Sequence, residues 1–337
     1  MSVLPNACVT LQLGAEDQRR LGAVCNAVYL SPGFTGEAFR AALAEAEGLL
    51  CSNQIPLGAE VMALAPSLRV ISGFGVGYNN VDLAEATLRG IAVCNTPGVL
   101  SAAVADLTIG MIIAASRGIV ANAAFVSEGG WARREAAPGL GWDLHGKTLG
   151  LIGFGRIGKA VAERARPFGM RVVYHDTFED PGSGWQDCQY RPLDDLLREC
   201  DVLSLHVNLT DETKHLINRR TLGLMKPTAW VVNTSRGPVI DQAALTAALS
   251  VGQIAGAVLD VLEVEPPAAE DPILSLGNAI ILPHIGSATV ETWAAMLELA
   301  VANFAAVMSG NAPPECVNPE ILDRALTRKA GPGNQRR

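Results

Sequence analysis

Leu149-Gly150-Leu151-Ile152, followed at once by Gly153-Phe154-Gly155-Arg156-Ile157-Gly158, is the stretch that decides the fold. The first four residues are apolar on both faces, as a buried parallel strand reads. The six that follow have the spacing Gly-x-Gly-x-x-Gly, and a helix-compatible run, Ile157–Phe168, starts inside them. Glycines at these places let the backbone turn tightly and approach a pyrophosphate, whose charge then faces a helix N-terminus. A second strand, Arg171–Tyr174, leads to Asp176, 18 residues beyond Gly158. An acidic side chain at about that distance hydrogen-bonds an adenosine ribose. In a chain with 34 glycines the glycine spacing alone is weak; the strand–loop–helix context and Asp176 give it weight. Asp176 would repel a 2′-phosphate, and Thr177, Phe178, Glu179 and Asp180 offer no cation. NAD(H) is therefore favoured, with NADP(H) as the second choice.

Working outward, the rhythm continues. Short apolar runs at Asp201–Leu205, Ala229–Val232, Ala255–Leu259 and Ala279–Leu282 alternate with predicted helices at Leu193–Glu199, Glu212–Leu222 and Gln242–Ser250. Strand, helix, strand in this order means right-handed crossovers and a doubly wound parallel sheet. The first hundred residues repeat the pattern more weakly. Strands fit Cys8–Leu11, Gly48–Cys51, Arg69–Ser72 and Ile91–Cys94, with helices at Gly36–Ala46 and Glu60–Ala65. The fold class is α/β, with a second, smaller α/β domain. After His284 an amphipathic stretch, Thr289–Met308, ends at Gly310-Asn311-Ala312-Pro313-Pro314, and a basic tail from Arg328 reads as frayed.

Composition agrees. Of 337 residues, 49% are hydrophobic and 18% charged, enough for large cores and against a disordered chain. The net charge of −8 argues against general nucleic-acid binding, which needs a basic face. Seven cysteines without a CxxC pair suggest free thiols in a reducing compartment, the cytoplasm, and no metal site. Met1–Leu13 lacks the features of a secretory signal. Val99–Ser116 is the best membrane candidate, but Asp106 in its middle and its small residues read better as a buried helix.

In such a sheet, ligands sit beyond the C-terminal strand ends. His206 stands after the third strand and Thr234-Ser235-Arg236 after the fourth. Asp260, Glu263 and Glu265 follow the fifth, and His284 the sixth. Together they make a sufficient set for carbonyl reduction. Arg236 can clamp a carboxylate and polarise a keto oxygen. His284 can donate a proton, and Glu265, touching that imidazole, would keep it charged. His206 reads better as a cap or positioning residue. A second glycine loop, Gly73-Phe74-Gly75-Val76-Gly77-Tyr78, has Tyr78 in place of the third glycine and suits a small carboxylate better than a pyrophosphate.

With these motifs in hand, the chain resembles the D-isomer-specific 2-hydroxyacid dehydrogenases, in particular the glyoxylate/hydroxypyruvate reductase branch. The resemblance runs from about Leu49 to Asn318. It is carried by Gly75–Asp82, Asn95–Val99, Gly153–Gly158, Val232–Pro238, Leu259–Pro266 and Pro283–Thr289. It implies two Rossmann-like domains with doubly wound parallel sheets and the active site in the interdomain cleft. A discontinuous substrate domain would take residues 1–100 plus 288–325, an NAD-binding domain 101–287, and a disordered tail 326–337. Arg236, Glu265 and His284 would be catalytic, and Val76, Gly77, Arg236 and Ser287 would bind substrate. Gly153, Gly155, Arg156, Ile157, Gly158, Asp176, Val207, Thr213, Thr234, Ser235, Arg236, Asp260 and His284 would bind the cofactor, Asp260 through the nicotinamide amide.

The implied reaction is reduction of a small 2-keto acid, glyoxylate or hydroxypyruvate first, to the D-2-hydroxy acid, and its reverse. The alternative on the same scaffold is a nucleotide-sensing protein like the related corepressors. Neither nucleic acid nor membrane is an expected partner. A homodimer joined through the coenzyme domains is expected, with the helix Ala103–Ser116 as interface. Two departures stand out: Trp293 replaces the branch's usual Arg, and Asn208 its usual Pro. Glu265, where formate dehydrogenases of the superfamily carry Gln, argues against formate.

Overall fold

The computed structural model describes residues 4–31, 36–53, 55–179 and 182–327. Contacts divide the chain into two compact units, Met1–Leu100 with Thr289–Arg337, and Ser101–Ala288.

In the first unit, β1 (Asn6–Val9), β2 (Asn26–Tyr29), β3 (Gly48–Ser52), β4 (Val70–Phe74) and β5 (Ala92–Cys94) form a wholly parallel sheet. The order β2-β1-β3-β4-β5 is one of the two common doubly wound orders. The helix Val290–Met308 lies on β3 and β4. Gly48 has no room for a side chain because the Phe304 ring and the Met308 sulfur press against it. Buried Arg69 ties the returning chain down, donating to the carbonyls of Val307 at 3.0 Å and Ala325 at 3.3 Å. By length and mean hydropathy (1.3) Val290–Met308 could cross a membrane. Its Ala300, Val301, Phe304 and Val307 are instead completely buried in this unit's core.

In the second unit, β6 (Thr148–Ile152), β7 (Arg171–His175), β8 (Gln189–Tyr190), β9 (Val202–Leu205), β10 (Trp230–Asn233), β11 (Gly256–Leu259) and β12 (Ala279–Ile281) also pair in parallel. Their order, β12-β11-β10-β9-β6-β7-β8, reverses direction between β6 and β9. Such a switch point opens a crevice at the strand ends. One core lies on each face. The helix Ser101–Ser116 packs against the helix Arg156–Ala165 and against β10 and β11.

Several expectations need correction. The predicted helix Glu212–Leu222 shrinks to Arg219–Leu222. Thr210 and Thr213 use their hydroxyls to bond neighbouring backbone, and Asn218 starts the short helix with a capping box. These local bonds compete with a longer helix. Strands β2 and β8 were not expected: both are short sheet edges, and β2 is largely exposed. The helices Ala15–Gly22, Leu83–Arg89 and Ile119–Ser127 were also missed. In the expected interface helix, Ala105, Ile109, Met111 and Ile112 belong to the second unit's core, while Ala102, Asp106 and Gly110 are exposed. The next helix, Ile119–Ser127, buries none of its residues and leaves Ile119, Val120 and Val126 about half exposed. Residues 328–337 of the expected tail, and Asp180 beside the ribose acid, lie outside the described residues.

Candidate active site

The glycine loop follows β6 directly. Each glycine has a different reason to be there. Gly153 adopts φ +93°, and an added Cβ would meet the His206 carbonyl oxygen at 2.6 Å. Gly158 leaves no space between the helix Arg156–Ala165 and the Gly153 carbonyl. At Gly155, the residue preceding that helix, nothing stands within 4 Å of an added Cβ, so a ligand can approach the backbone there. Asp176, just beyond β7, accepts from the Phe154 amide at 2.7 Å and from the Thr177 amide at 2.7 Å. The acid is therefore fixed against the loop, with Arg156 exposed and Ile157 half-buried at the helix start. These features fit a dinucleotide: a tight turn, an open amide surface at a helix N-terminus and an acid beside it.

Sequence reading overlooked one cation here. Lys159, one turn into the helix, places its ammonium 5.7 Å from the Phe154 ring centre. An added Cβ at Gly182 would meet it at 3.9 Å. Helical periodicity brings Lys159 to the loop, but no linear motif marks it.

Beyond β10, buried Asn233 shapes the turn that carries Arg236. Its side chain accepts from the Ser235 amide (2.9 Å) and hydroxyl (2.8 Å) and donates to the Arg236 carbonyl (2.9 Å). Ser235 thus serves the turn, while the Thr234 hydroxyl lies 3.2 Å from that of Thr108. Arg236 donates to the Ser235 carbonyl at 2.7 Å. Burial pulls its guanidinium below the ordinary arginine value, against the opposing pull of the Glu265 charge. Gly237 has no room for a Cβ because the Leu262 carbonyl lies against it. The Arg236 turn and the segment leading to Glu265 are therefore in direct backbone contact.

Glu265 accepts from the Leu262 amide at 3.0 Å through one oxygen, and its other oxygen lies 2.7 Å from His284 Nδ1. Burial raises this carboxyl. The His284 hydrogen bond and charge, the Leu262 amide and the Arg236 charge outweigh it, so the group is held below the usual carboxylate range. His284 has a left-handed backbone, φ +56°. A residue other than glycine held there costs roughly 1–3 kcal/mol and persists only where its surroundings fix it. Asp260 supplies the fixing. Its carbonyl accepts from the His284 amide at 2.8 Å, and its carboxylate oxygens accept from the Ile285 and Gly286 amides, each at 2.7 Å. Burial pushes the Asp260 carboxyl up, partly offset by those amides. The imidazole stays partly open to solvent.

Other expected residues take different places. Glu263 pairs with His215 at 2.8 Å and accepts from the Gln242 amide at 3.3 Å. His206 lies 2.9 Å from the Ser204 hydroxyl through Nε2, while its buried Nδ1 has no protein partner among the described residues. Burial pulls its pKa down to about 3, so its ring is neutral near pH 7. Half-buried Val207 packs against the core below, the Thr213 hydroxyl donates to the Asn208 carbonyl at 2.6 Å, and Ser287 is half-buried after Gly286.

In the first unit, the loop after β4 turns its carbonyls inward. Those of Gly75 and Val76 accept from the Thr96 amide (2.8 Å) and the Asn95 side chain (2.7 Å), and that of Gly77 from Asn53. The amides of Val76 and Gly77 meet no acceptor among the described residues. Adjacent free amides of this kind form a nest for an anion. Trp293 meets Phe74, at the start of this loop, edge to face with centroids 5.7 Å apart.

Comparison with known proteins follows the same lines. A family model described as D-isomer specific 2-hydroxyacid dehydrogenase, NAD binding domain, matches residues 109–286. A glyoxylate reductase of Korarchaeum cryptofilum is 47% identical over 269 residues, 79% of this chain and 81% of that protein. The structure of a Thermus thermophilus protein superposes with a TM-score of 0.84 at 42% identity, covering 93% of this chain and 99% of that one. An NADPH-dependent glyoxylate/hydroxypyruvate reductase of Sinorhizobium meliloti, in complex with NADP and malonate, gives 0.84 at 34% identity, covering 94% and 97%.

Proposed function

Because the chain belongs to the D-isomer-specific 2-hydroxyacid dehydrogenases, we propose that it reduces glyoxylate or hydroxypyruvate to the D-2-hydroxy acid, and catalyses the reverse, with NAD(H) as cofactor. It is an oxidoreductase of that family. The observation that carries the detailed reading is the 2.7 Å contact between Glu265 and His284 beside the buried Arg236 guanidinium. A nicotinamide cofactor, held at the Gly153–Gly158 loop and Asp176, supplies the hydride. Arg236 binds the substrate carboxylate and polarises the keto oxygen. His284 gives that oxygen a proton from Nε2 as the carbonyl carbon is reduced. Glu265 holds Nδ1 and so sets the ring's orientation. The Val76 and Gly77 amides are assigned to the substrate carboxylate, and Ser287 to substrate contact. In this reading residues 101–287 serve the cofactor, and residues 1–100 with 288–325 the substrate.

Substrate and cofactor choice rest on finer features. Trp293 and Phe74 present an aromatic surface where the branch usually has a cation. That suits small, uncharged substrate side chains. Asp176 supports NAD(H), and Lys159 is the cation that a 2′-phosphate would need to reach. A homodimer is proposed with the exposed helix Ile119–Ser127 in its interface, and a cytoplasmic location with the free thiols. Glyoxylate reductases among the relatives do not favour the sensor alternative. Steady-state kinetics with a keto-acid panel test the proposal. NADH should give the higher kcat/KM, and Asp176→Ala should narrow its lead over NADPH by about tenfold, the scale of one charge-assisted hydrogen bond. Binding of NADH without turnover of any 2-keto acid would overturn it.

A further inference from the structure

We propose that Cys316 and Cys94 form a peroxide-reactive thiol pair that closes to a disulfide behind the Gly73–Tyr78 loop. The backbone places them together. The Val317 amide donates to the Val93 carbonyl at 2.7 Å, and the Val93 amide to the Asn318 side chain at 2.9 Å. Asn318 also reaches the Ile91 carbonyl at 3.0 Å. At the other end, Asn303 bridges the Asn95 carbonyl and the Glu315 amide, 2.9 Å to each. Residues 315, 317 and 318 thus run antiparallel to 95, 93 and 91, which sets Cys316 alongside Cys94. One backbone bond and the side chains of Asn318 and Asn303 hold the two segments side by side, and a disulfide bridges residues whose Cα atoms lie about 4.4–6.8 Å apart. Cys94 is buried in the core cluster that Cys316 packs against, and the Cys316 sulfur lies 3.5 Å from the Asn318 side-chain oxygen.

The two thiols are unequal in the way such a pair requires. Cys316 is the one cysteine of seven that is not buried. Its pKa is drawn below the ordinary thiol value by the neighbouring Cys94, which outweighs its partial burial. That of Cys94 is driven up by Cys316 and by burial. Burial raises Cys8 and Cys25 to about 11, and Cys51 and Cys200 to about 12. An accessible thiolate beside a resolving thiol is the arrangement that reacts with peroxide. The Cys316 thiolate attacks one oxygen of hydrogen peroxide, breaking the O–O bond and leaving a sulfenic acid and hydroxide. Cys94 then attacks the Cys316 sulfur, the S–O bond breaks, and water leaves. Two thiols lose two electrons and peroxide becomes two waters.

The disulfide would be felt at the loop, because Asn95 and Thr96, next after Cys94, bond the Val76 carbonyl and both backbone groups of Gly75. This consequence rests on the reading of that loop as the carboxylate site; the bond itself does not. The test is one equivalent of hydrogen peroxide on the full-length reduced protein, followed by intact mass and non-reducing peptide mapping. The expected result is loss of two hydrogens and a single linked pair, Cys94 with Cys316, reversed by dithiothreitol. In Cys94→Ser or Cys94→Ala, dimedone should label Cys316 instead. The keto-acid KM of the oxidised protein should rise about fivefold or more, with the NADH Kd unchanged. No linkage, or linkage of another pair, overturns the site. Linkage with an unmoved KM overturns the coupling to the loop. If no keto acid is reduced even before oxidation, the functional reading falls while the linkage result still decides the thiol pair.

Discussion

Among the described residues of the second unit, two imidazole–carboxylate pairs look alike. His284 meets Glu265 at 2.7 Å and His215 meets Glu263 at 2.8 Å. The carboxylates are two residues apart, and both histidines have left-handed backbones, φ +56° and +51°. Their surroundings differ. Glu263 also accepts from the Gln242 amide, and the His215 amide donates to the Pro238 carbonyl at 2.8 Å, so this pair pins loops together. Glu265 instead feels the charge of buried Arg236, and His284 sits on a turn built by Asp260. A histidine beside a carboxylate is therefore not in itself an acid catalyst. A buried cation and a rigidly held turn distinguish the pair assigned to chemistry.

The largest test of this contrast is removal of each imidazole. His284→Ala should lower kcat by roughly 10²–10⁴ while NADH still binds, the usual scale for losing a general acid. His215→Ala should keep kcat within about threefold and lower the melting temperature instead, the pattern for a lost structural contact. Stopped-flow kinetics and fluorescence titration of NADH separate the two, and the opposite pattern would invert the assignment. Next in size, Arg236→Lys should lower kcat/KM by about 10- to 100-fold. A point ammonium keeps the charge but loses the planar fork, at a cost near that of a charged hydrogen bond.

Smaller effects sharpen the comparison. Glu265→Gln removes the carboxylate charge that holds Nδ1, and kcat should fall by about tenfold, the scale of one charged hydrogen bond. Glu263→Gln should leave kcat in place. The last effect concerns stability. Glu265 is held below the usual carboxylate range, so its contribution is complete above its unfolded value and is lost as pH falls through the lower folded value. Glu265→Gln should therefore unfold with a shallower pH dependence in acid, measured by urea titrations across that window.

Much of this site was legible in the chain. Buried parallel strands carry unbroken apolar runs, so β6, β7 and β9–β12 were read to within a residue or two. Arg236, Glu265 and His284 stood out because each follows such a strand. What escaped depends on contacts distant in sequence or on local polar bonds. Glu263 was visible, but nothing linear tied it to His215, 48 residues earlier. Apolar spacing suggested a helix at Glu212–Leu222, where threonine hydroxyls and the Asn218 cap bind the backbone instead. Strands β2 and β8 cover little core and leave little pattern. The apolar residues of Ala103–Ser116, expected from the resemblance to form an interface, pack in large part on the helix Arg156–Ala165 and on β10 and β11, contacts that no linear pattern announces.

Gly237 bears on how such a protein can be changed. With the Leu262 carbonyl against it, the Arg236 turn cannot gain even a methyl group there without moving the segment that carries Glu265. Asn233 and Asp260 lock the two neighbouring turns in the same way. A library that randomises these positions would yield mostly inactive protein, and natural drift meets the same barrier. Trp293 is 55% exposed and held by one edge-to-face contact with Phe74. Under the proposed function, variation at those two aromatic positions would alter which acids are accepted and leave the Arg236, Glu265 and His284 turns untouched.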